Sequence, residues 1–275
     1  FNYVMRINNM DIKFLSPHYR VSHLPRKDLL NYNWQLNEDK TPFFIKYGLL
    51  WGFSGFDKRT RNDLMKQIWD LVKHNYVENP TIEFLLEGIG EDKHTNPTTT
   101  SDKFKSDVWE FFKDYKNKTC IEFGTHKGQT TKILSYCFKH VYTINKDIQS
   151  FDNAKMLNVG IENITYVPFD LYSNGKLDFK DISVFMIDAG HQYNQVISDV
   201  NRCLSMSLLD ECYIIFDDYG LNVHAHHVKK AVDEFINSNK IKVVKKIGYE
   251  PGHLFGGKTN RKLNDYEGLI CKVVK

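Results

Sequence analysis

The sequence predicts an α/β chain built on a seven-stranded, mostly parallel sheet with an antiparallel C-terminal hairpin, on three observations. Short apolar runs at 119–123, 140–145, 163–167, 182–187 and 212–216 end abruptly in polar or charged residues, as buried parallel strands do at the carboxyl edge of a sheet. Amphipathic stretches with helical spacing fall between such runs, so strands alternate with crossover helices. The last two apolar runs, "IKVVKKIGY" and "GLICKVVK", are separated only by a loop from about Glu250 to Glu267, and strands joined without a crossover pair antiparallel.

In chain order, residues 1–100 form an N-terminal extension and residues 101–275 the domain that carries the sheet. The extension reads as a cap over the site, an oligomerisation element that would make a homo-oligomer, or the tail of a preceding domain. Its segment 33–56 is aromatic and loop-rich, and a helix fits 61–76 through Leu64, Ile68, Leu71 and Val72. The stretch "EDKHTNPTTTSDK" (91–103) has the composition of a linker. A helix over 102–115 follows from the spacing of Phe104, Val108, Phe111, Phe112 and Tyr115. Tyr193, Val196, Ile197, Val200, Cys203 and Leu204 make one further apolar stripe, and Val228, Ala231, Val232, Phe235 and Ile236 another.

Composition narrows the function classes. The net charge of +3 comes from 37 basic and 34 acidic residues, so no face is expected to grip nucleic acid by charge alone. No run approaches the ~18 apolar residues of a membrane span, and "FNYVMRINNM" lacks a signal-peptide layout. The start at Phe1 reads as a piece of a longer protein. Five cysteines sit mostly in apolar runs without zinc-ligand spacing, which suits reduced core thiols in a cytoplasmic protein.

Chemistry concentrates at the strand ends. In "CIEFGTHKGQTT", Glu122 closes a strand, and Gly124 and Gly128 permit a tight turn and close backbone approach to a ligand before the next helix begins near Thr130. "VYTINKD" offers Asn145 and Asp147 as polar groups after the second strand, and "YVPFDLYS" offers Asp170 after the third. The sharpest group is Asp188 and His191 in "IDAGHQY" with Asp217 and Asp218 in "FDDYG". One crossover helix fits between them and brings the fourth and fifth strand ends side by side. Carboxylates that close repel unless a positive charge lies among them, and hard oxygen donors in that number suit Mg²⁺ or a similar divalent ion. His191 leaves the same strand end as Asp188, with the ordinary titration range of a general base. The other histidines, including His224, His226 and His227, read as structural.

Over about 175 residues the chain resembles the Rossmann-like class I S-adenosylmethionine-dependent methyltransferases. That resemblance implies cofactor contacts from Glu122, Gly124, Thr125, Gly128, Thr130, Asp170 and Asp188. It also implies a ribose contact from Asn145, where Asp or Glu is usual, or from Asp147. "IDAGHQY … FDDYG" is similar, more narrowly, to the magnesium-dependent sugar O-methyltransferases and the related glycan methyltransferases. This implies Asp188, Asp217 and Asp218 as metal ligands, His191 as the base and a sugar or glycan hydroxyl as acceptor. Methylation of a catechol-like phenol, and a scaffold module that has lost catalysis, are the rival readings. The loop "EPGHLFGGKTNRKLND" should overhang the acceptor pocket and bring His253, Lys258 or Arg261 to a polar substrate.

Overall fold

The computed structural model describes residues 80–275, except 207–208, 225 and 257–260. These lie in the second of two units, Glu78–Lys275. The expected helix at 61–76 and the aromatic segment 33–56 lie outside the described residues, as does Lys258.

The seven strands are β1 (Thr119–Phe123), β2 (His140–Asn145), β3 (Ile164–Pro168), β4 (Ile182–Ile187), β5 (Tyr213–Phe216), β6 (Ile241–Ile247) and β7 (Gly268–Val273). Their order is β3-β2-β1-β4-β5-β7-β6, and β7 alone runs against the others, pairing antiparallel with β5 and β6. The chain leaves β1 in opposite directions toward β2 and β4, which makes the carboxyl edge beside β1 the switch point where open sheets bind ligands.

Alternation along the strands explains the layers. Ile182, Phe185 and Ile187 of β4 and Ile214 and Phe216 of β5 face one core, while Val184, Met186 and Ile215 face another. The first core is closed by α5 (Tyr193–Met206) and α6 (Val228–Asn237), whose buried stripes Val196, Val200, Cys203 and Val228, Ala231, Val232, Phe235 are those that the spacing predicts. The second is closed by α1 (Ile82–Ile89), α2 (Asp102–Phe112) and α3 (Gln129–Cys137); α4 (Ile148–Leu157) follows β2. Each large apolar side chain buried this way contributes about 1.5–3 kcal/mol. All five cysteines are buried free thiols. Among the described residues no helix is long and apolar enough to cross a membrane.

The structure differs from the sequence reading at one segment. Residues 80–100 pack with the sheet: Thr81 caps α1 by accepting from Phe84 N, and Leu85 and Ile89 enter the core beside Phe104 and Val108. The stretch with a linker's composition is a strap in which Lys93, Thr99, Thr100 and Ser101 are buried. Ser101 caps α2 through Phe104 N (3.0 Å) and donates its hydroxyl to Glu267 (2.5 Å), so polar residues here satisfy buried partners rather than solvent.

Candidate active site at the carboxyl edge of the sheet

A cavity of about 620 Å³ opens where the first five strands end, within the range of small-molecule sites. Each strand delivers to it: Gly124 after β1, Asn145 and Asp147 after β2, Phe169 and Asp170 after β3, Asp188 and His191 after β4, Asp217 and Asp218 after β5. Lys93 and Thr98 from the strap, His224 before α6, and Arg261 from the β6–β7 loop complete the wall. Parallel pairing of Ile187 with Phe216 sets Asp188 and Asp217 on neighbouring strand ends, as the spacing predicts.

Toward β1 to β3, the predicted residues separate into those that reach the cavity and those that build its floor. Glu122 is only 1 % exposed and accepts from Thr131 (2.5 Å) and Thr143 (2.6 Å); burial outweighs those bonds and pushes its carboxyl up to about 8. Thr125 shares a hydrogen bond with Thr143 (2.6 Å) and Thr130 one with Thr100 (3.2 Å). Gly128 lies against Ala154 and Asn158 of the neighbouring helix. None of these four lines the cavity, because the loop's own hydrogen bonds and packing use them up. Asn145 spans to Ser150 and to the backbone of Asp147, Asp147 caps α4 through Gln149 N (3.0 Å), and Asp170 accepts from Tyr172 N (2.9 Å). These three still line the cavity. The first turn of α3 has no side-chain cap, but it lies behind the strap, where Gln129 donates to Glu91 and Thr130 meets Thr100, and it does not line the cavity.

Toward β4 and β5 the charges are arranged differently from the sequence expectation. The carboxylates that converge are Asp217, Asp218 and Glu267, and the positive charge among them is Lys93, itself 2 % exposed. Its Nζ donates to Asp218 Oδ1 at 2.7 Å, lies 3.4 Å from both oxygens of Asp217 and 3.3 Å from Glu267 Oε1. Burial works against its charge, but the three carboxylates outweigh it and hold the ammonium well above its ordinary range. Burial, and then the charge of Asp218, push Asp217 up too, well above the usual carboxylate range. Asp218 stays ionised because Lys93 and His191 outweigh its burial.

Asp188 stands apart from this cage, 3.7 Å from His191 Nε2. The same nitrogen lies 3.1 Å from Asp218 Oδ2. Burial lowers the affinity of His191 for a proton, yet bonding to Asp188 and Asp218 raises it to about 10, so the ring is an imidazolium at neutral pH. His224, read as structural from sequence, stacks on it (centroids 4.4 Å apart, 20° between planes) with Nε2 3.7 Å from Asp218, and burial lowers its titration. A charged and a neutral imidazole therefore share one carboxylate. Glu267 escaped the sequence reading; it comes beside Asp218 because β7 pairs Leu269 with Phe216, which places the residue before β7 opposite it.

The donor set also tests the magnesium that the resemblance implies. Mg²⁺ requires an octahedron of oxygens at about 2.0–2.1 Å. Here Lys93 already engages Asp217 and one oxygen of Asp218. What gathers around the other oxygen is two imidazoles, His191 and His224, with the three ligand atoms within 4.8 Å of one another. One carboxylate and two nitrogens are not the shell Mg²⁺ takes, so the residues as arranged do not fit that ion.

No protein-family profile and no curated protein matches the sequence. Solved structures do resemble it. An O-methyltransferase from Bacillus cereus in complex with S-adenosylhomocysteine superposes with a TM-score of 0.50 at 14% identity, covering 75% of this chain and 97% of that one. The chain has the class I methyltransferase fold. The N-methyltransferase NodS from Bradyrhizobium japonicum (TM-score 0.49, 11% identity, 76% and 99% covered) and the tRNA (m1A58) methyltransferase TrmI from Aquifex aeolicus (0.49, 18%, 71% and 77%) are also similar. In this methyltransferase fold, the cavity with His191 and His224 occupies the sheet edge at which ligands of such folds are bound.

Proposed function

We propose that the chain transfers a methyl group from S-adenosylmethionine to a sugar hydroxyl of a glycan or glycosylated product. The observation that carries the reading is that one cavity joins the two halves of such a site: the polar ends of β1 to β3, and a histidine–carboxylate floor beyond Asp188. Asn145, Asp147 and Asp170 would hold the cofactor's nucleoside, with Gly124 leaving room for its methionine end. When bound, the cofactor supplies an electrophilic methyl group. The chain's own residues supply the rest: Asp218 and Asp188 hold the His191 ring through Nε2, and the ring's other nitrogen takes the hydroxyl proton.

A sugar acceptor suits the polar groups near His191, to which His224, Arg261, Gln195 and the Tyr172 hydroxyl contribute. Arg261 adds a specific point. Its Nη1 is buried without a hydrogen-bond partner among the described residues, the condition of a donor kept for a ligand oxygen. Replacing Arg261 by Ala should weaken acceptor binding, raising KM by roughly 10-fold as expected for one lost charged hydrogen bond, with cofactor affinity unchanged. An unchanged KM would remove Arg261 from the acceptor site.

Isothermal titration of the full chain with S-adenosylmethionine tests the reading, followed by a radiolabelled methyl-transfer assay over a panel of free sugars, glycosides and catechols. One cofactor per chain and label on glycosides are expected. Label on catechols alone would select the phenol reading, and no heat of binding would select a scaffold.

A further inference from the structure

We propose that Lys93 is the resident cation of this site, so that its ammonium group positions Asp217 and Asp218 and no divalent ion is needed between them. The proposal rests on the methyltransferase reading above and deepens it. Acidic strand ends at a cavity floor repel one another unless something positive lies among them. Lys93 Nζ stands within ion-pair distance of three carboxylates, those of Asp217 (3.4 Å), Asp218 (2.7 Å) and Glu267 (3.3 Å). Phe255, on the β6–β7 loop, closes the cage with its ring centroid 5.5 Å from Nζ.

The cage is braced independently of the lysine. Glu267 also accepts from the backbone N–H of Ser101 at 3.0 Å and from its hydroxyl, so the strap is tied to the same carboxylate at both Lys93 and Ser101. The Ser101 tether on one side, and Leu85 and Ile89 of α1 in the core on the other, make the placement of Lys93 a consequence of the fold rather than of a long side chain reaching inward. A dication among these carboxylates would have to stand where the ammonium stands, and the two charges exclude each other. The effect on chemistry is indirect. By drawing Oδ1 of Asp218 toward itself, Lys93 leaves Oδ2 facing His191 at 3.1 Å, so it acts as a positioning residue through Asp218.

Titration of the full chain with MnCl₂, followed by the electron paramagnetic resonance of the free ion, needs no acceptor. Wild type should take up no ion stoichiometrically at micromolar concentrations. Lys93→Ala vacates a cage of three carboxylates and should bind one ion per chain, at least ~10-fold more tightly than wild type, whereas Lys93→Arg should behave as wild type. A lysine with a merely structural role would leave metal affinity unmoved. Tight uptake of one ion by wild type overturns the proposal, as does a folded Lys93→Ala chain with no gain in affinity. If Lys93→Ala does not fold, Lys93→Gln enters the same titration, and the wild-type arm decides regardless. Parallel calorimetry with S-adenosylmethionine keeps the two claims apart: absence of cofactor binding overturns the methyltransferase reading and leaves the metal result to be judged on its own.

Discussion

Gly124→Val should unfold the sheet edge rather than selectively empty the cofactor site. From the sequence, a branched side chain there threatens the space of the ligand. The structure locates the obstacle inside the protein. Gly124 has φ +96, and a Cβ built on it would lie 2.6 Å from the carbonyl carbon of Asp188 and closer still to its oxygen, on the neighbouring strand end. Backbone cannot step aside as a flexible side chain does, because Asp188 N is itself bonded to Phe123 O (2.9 Å) and Gly124 N to Ile144 O (2.9 Å). Left-handed strain costs about 1–3 kcal/mol and overpacking a similar amount, which together approach half of a typical domain's stability. A melting temperature lower by roughly 10 °C or more is expected in circular dichroism, with cofactor binding lost in proportion to folding. Gly256→Ala is the matched control, since its Cβ would meet only His94 O at an ordinary 3.5 Å. A Gly124→Val chain that melts like wild type would show that the β1 and β4 ends are not so tightly joined.

How far the fold could be read follows from how each element is buried. Strands β4 and β5 are buried on both faces, so they appear as apolar runs, broken only by Ser183, that stop at Asp188 and Asp217, and one crossover sets them side by side. Helix α1 carries an equally clear signal, Thr81 as cap and Ile82, Leu85, Leu86 and Ile89 on one face, but it stands next to a polar stretch that reads as linker. That stretch hides the most consequential residue of the site. Lys93 meets Asp217 across 124 positions of sequence, and a lysine among Asp, His, Thr and Asn looks the same whether it is solvated or caged. Local composition reports polarity and not its partner. The pair Asp217 and Asp218 and its need for a positive charge were legible; that Asp188 stands apart, that Glu267 joins the pair and that the charge is Lys93 were tertiary facts. His224 was hidden for the same reason, as one of three histidines in a loop whose path returns to Asp218 only in the folded chain.

His191→Ala should lower methyl transfer to the acceptor sugar by roughly 10²-fold or more, the usual worth of a positioned base, while leaving cofactor affinity intact. The stronger signature is pH. Asp188 and Asp218 raise the imidazole to about 10, against an unfolded value near 6.5, so a proton must leave before the ring can accept one from a hydroxyl. At pH 8 about 1% of the ring is free, and turnover should climb roughly tenfold per unit toward pH 10. The Ala variant should lack that climb. Stability must move the opposite way. A cation whose folded pKa is raised contributes stabilisation in full below about 6.5, and the contribution is lost as pH rises through about 10. Wild type should therefore lose stability relative to His191→Ala between those limits in urea titrations, as activity rises. Imidazole resonances followed by nuclear magnetic resonance would report the titration directly. If His191 titrates near 6.5 with turnover flat above pH 7, the ion pair with Asp218 does not set the base, and the neutral, stacked His224 becomes the group to replace.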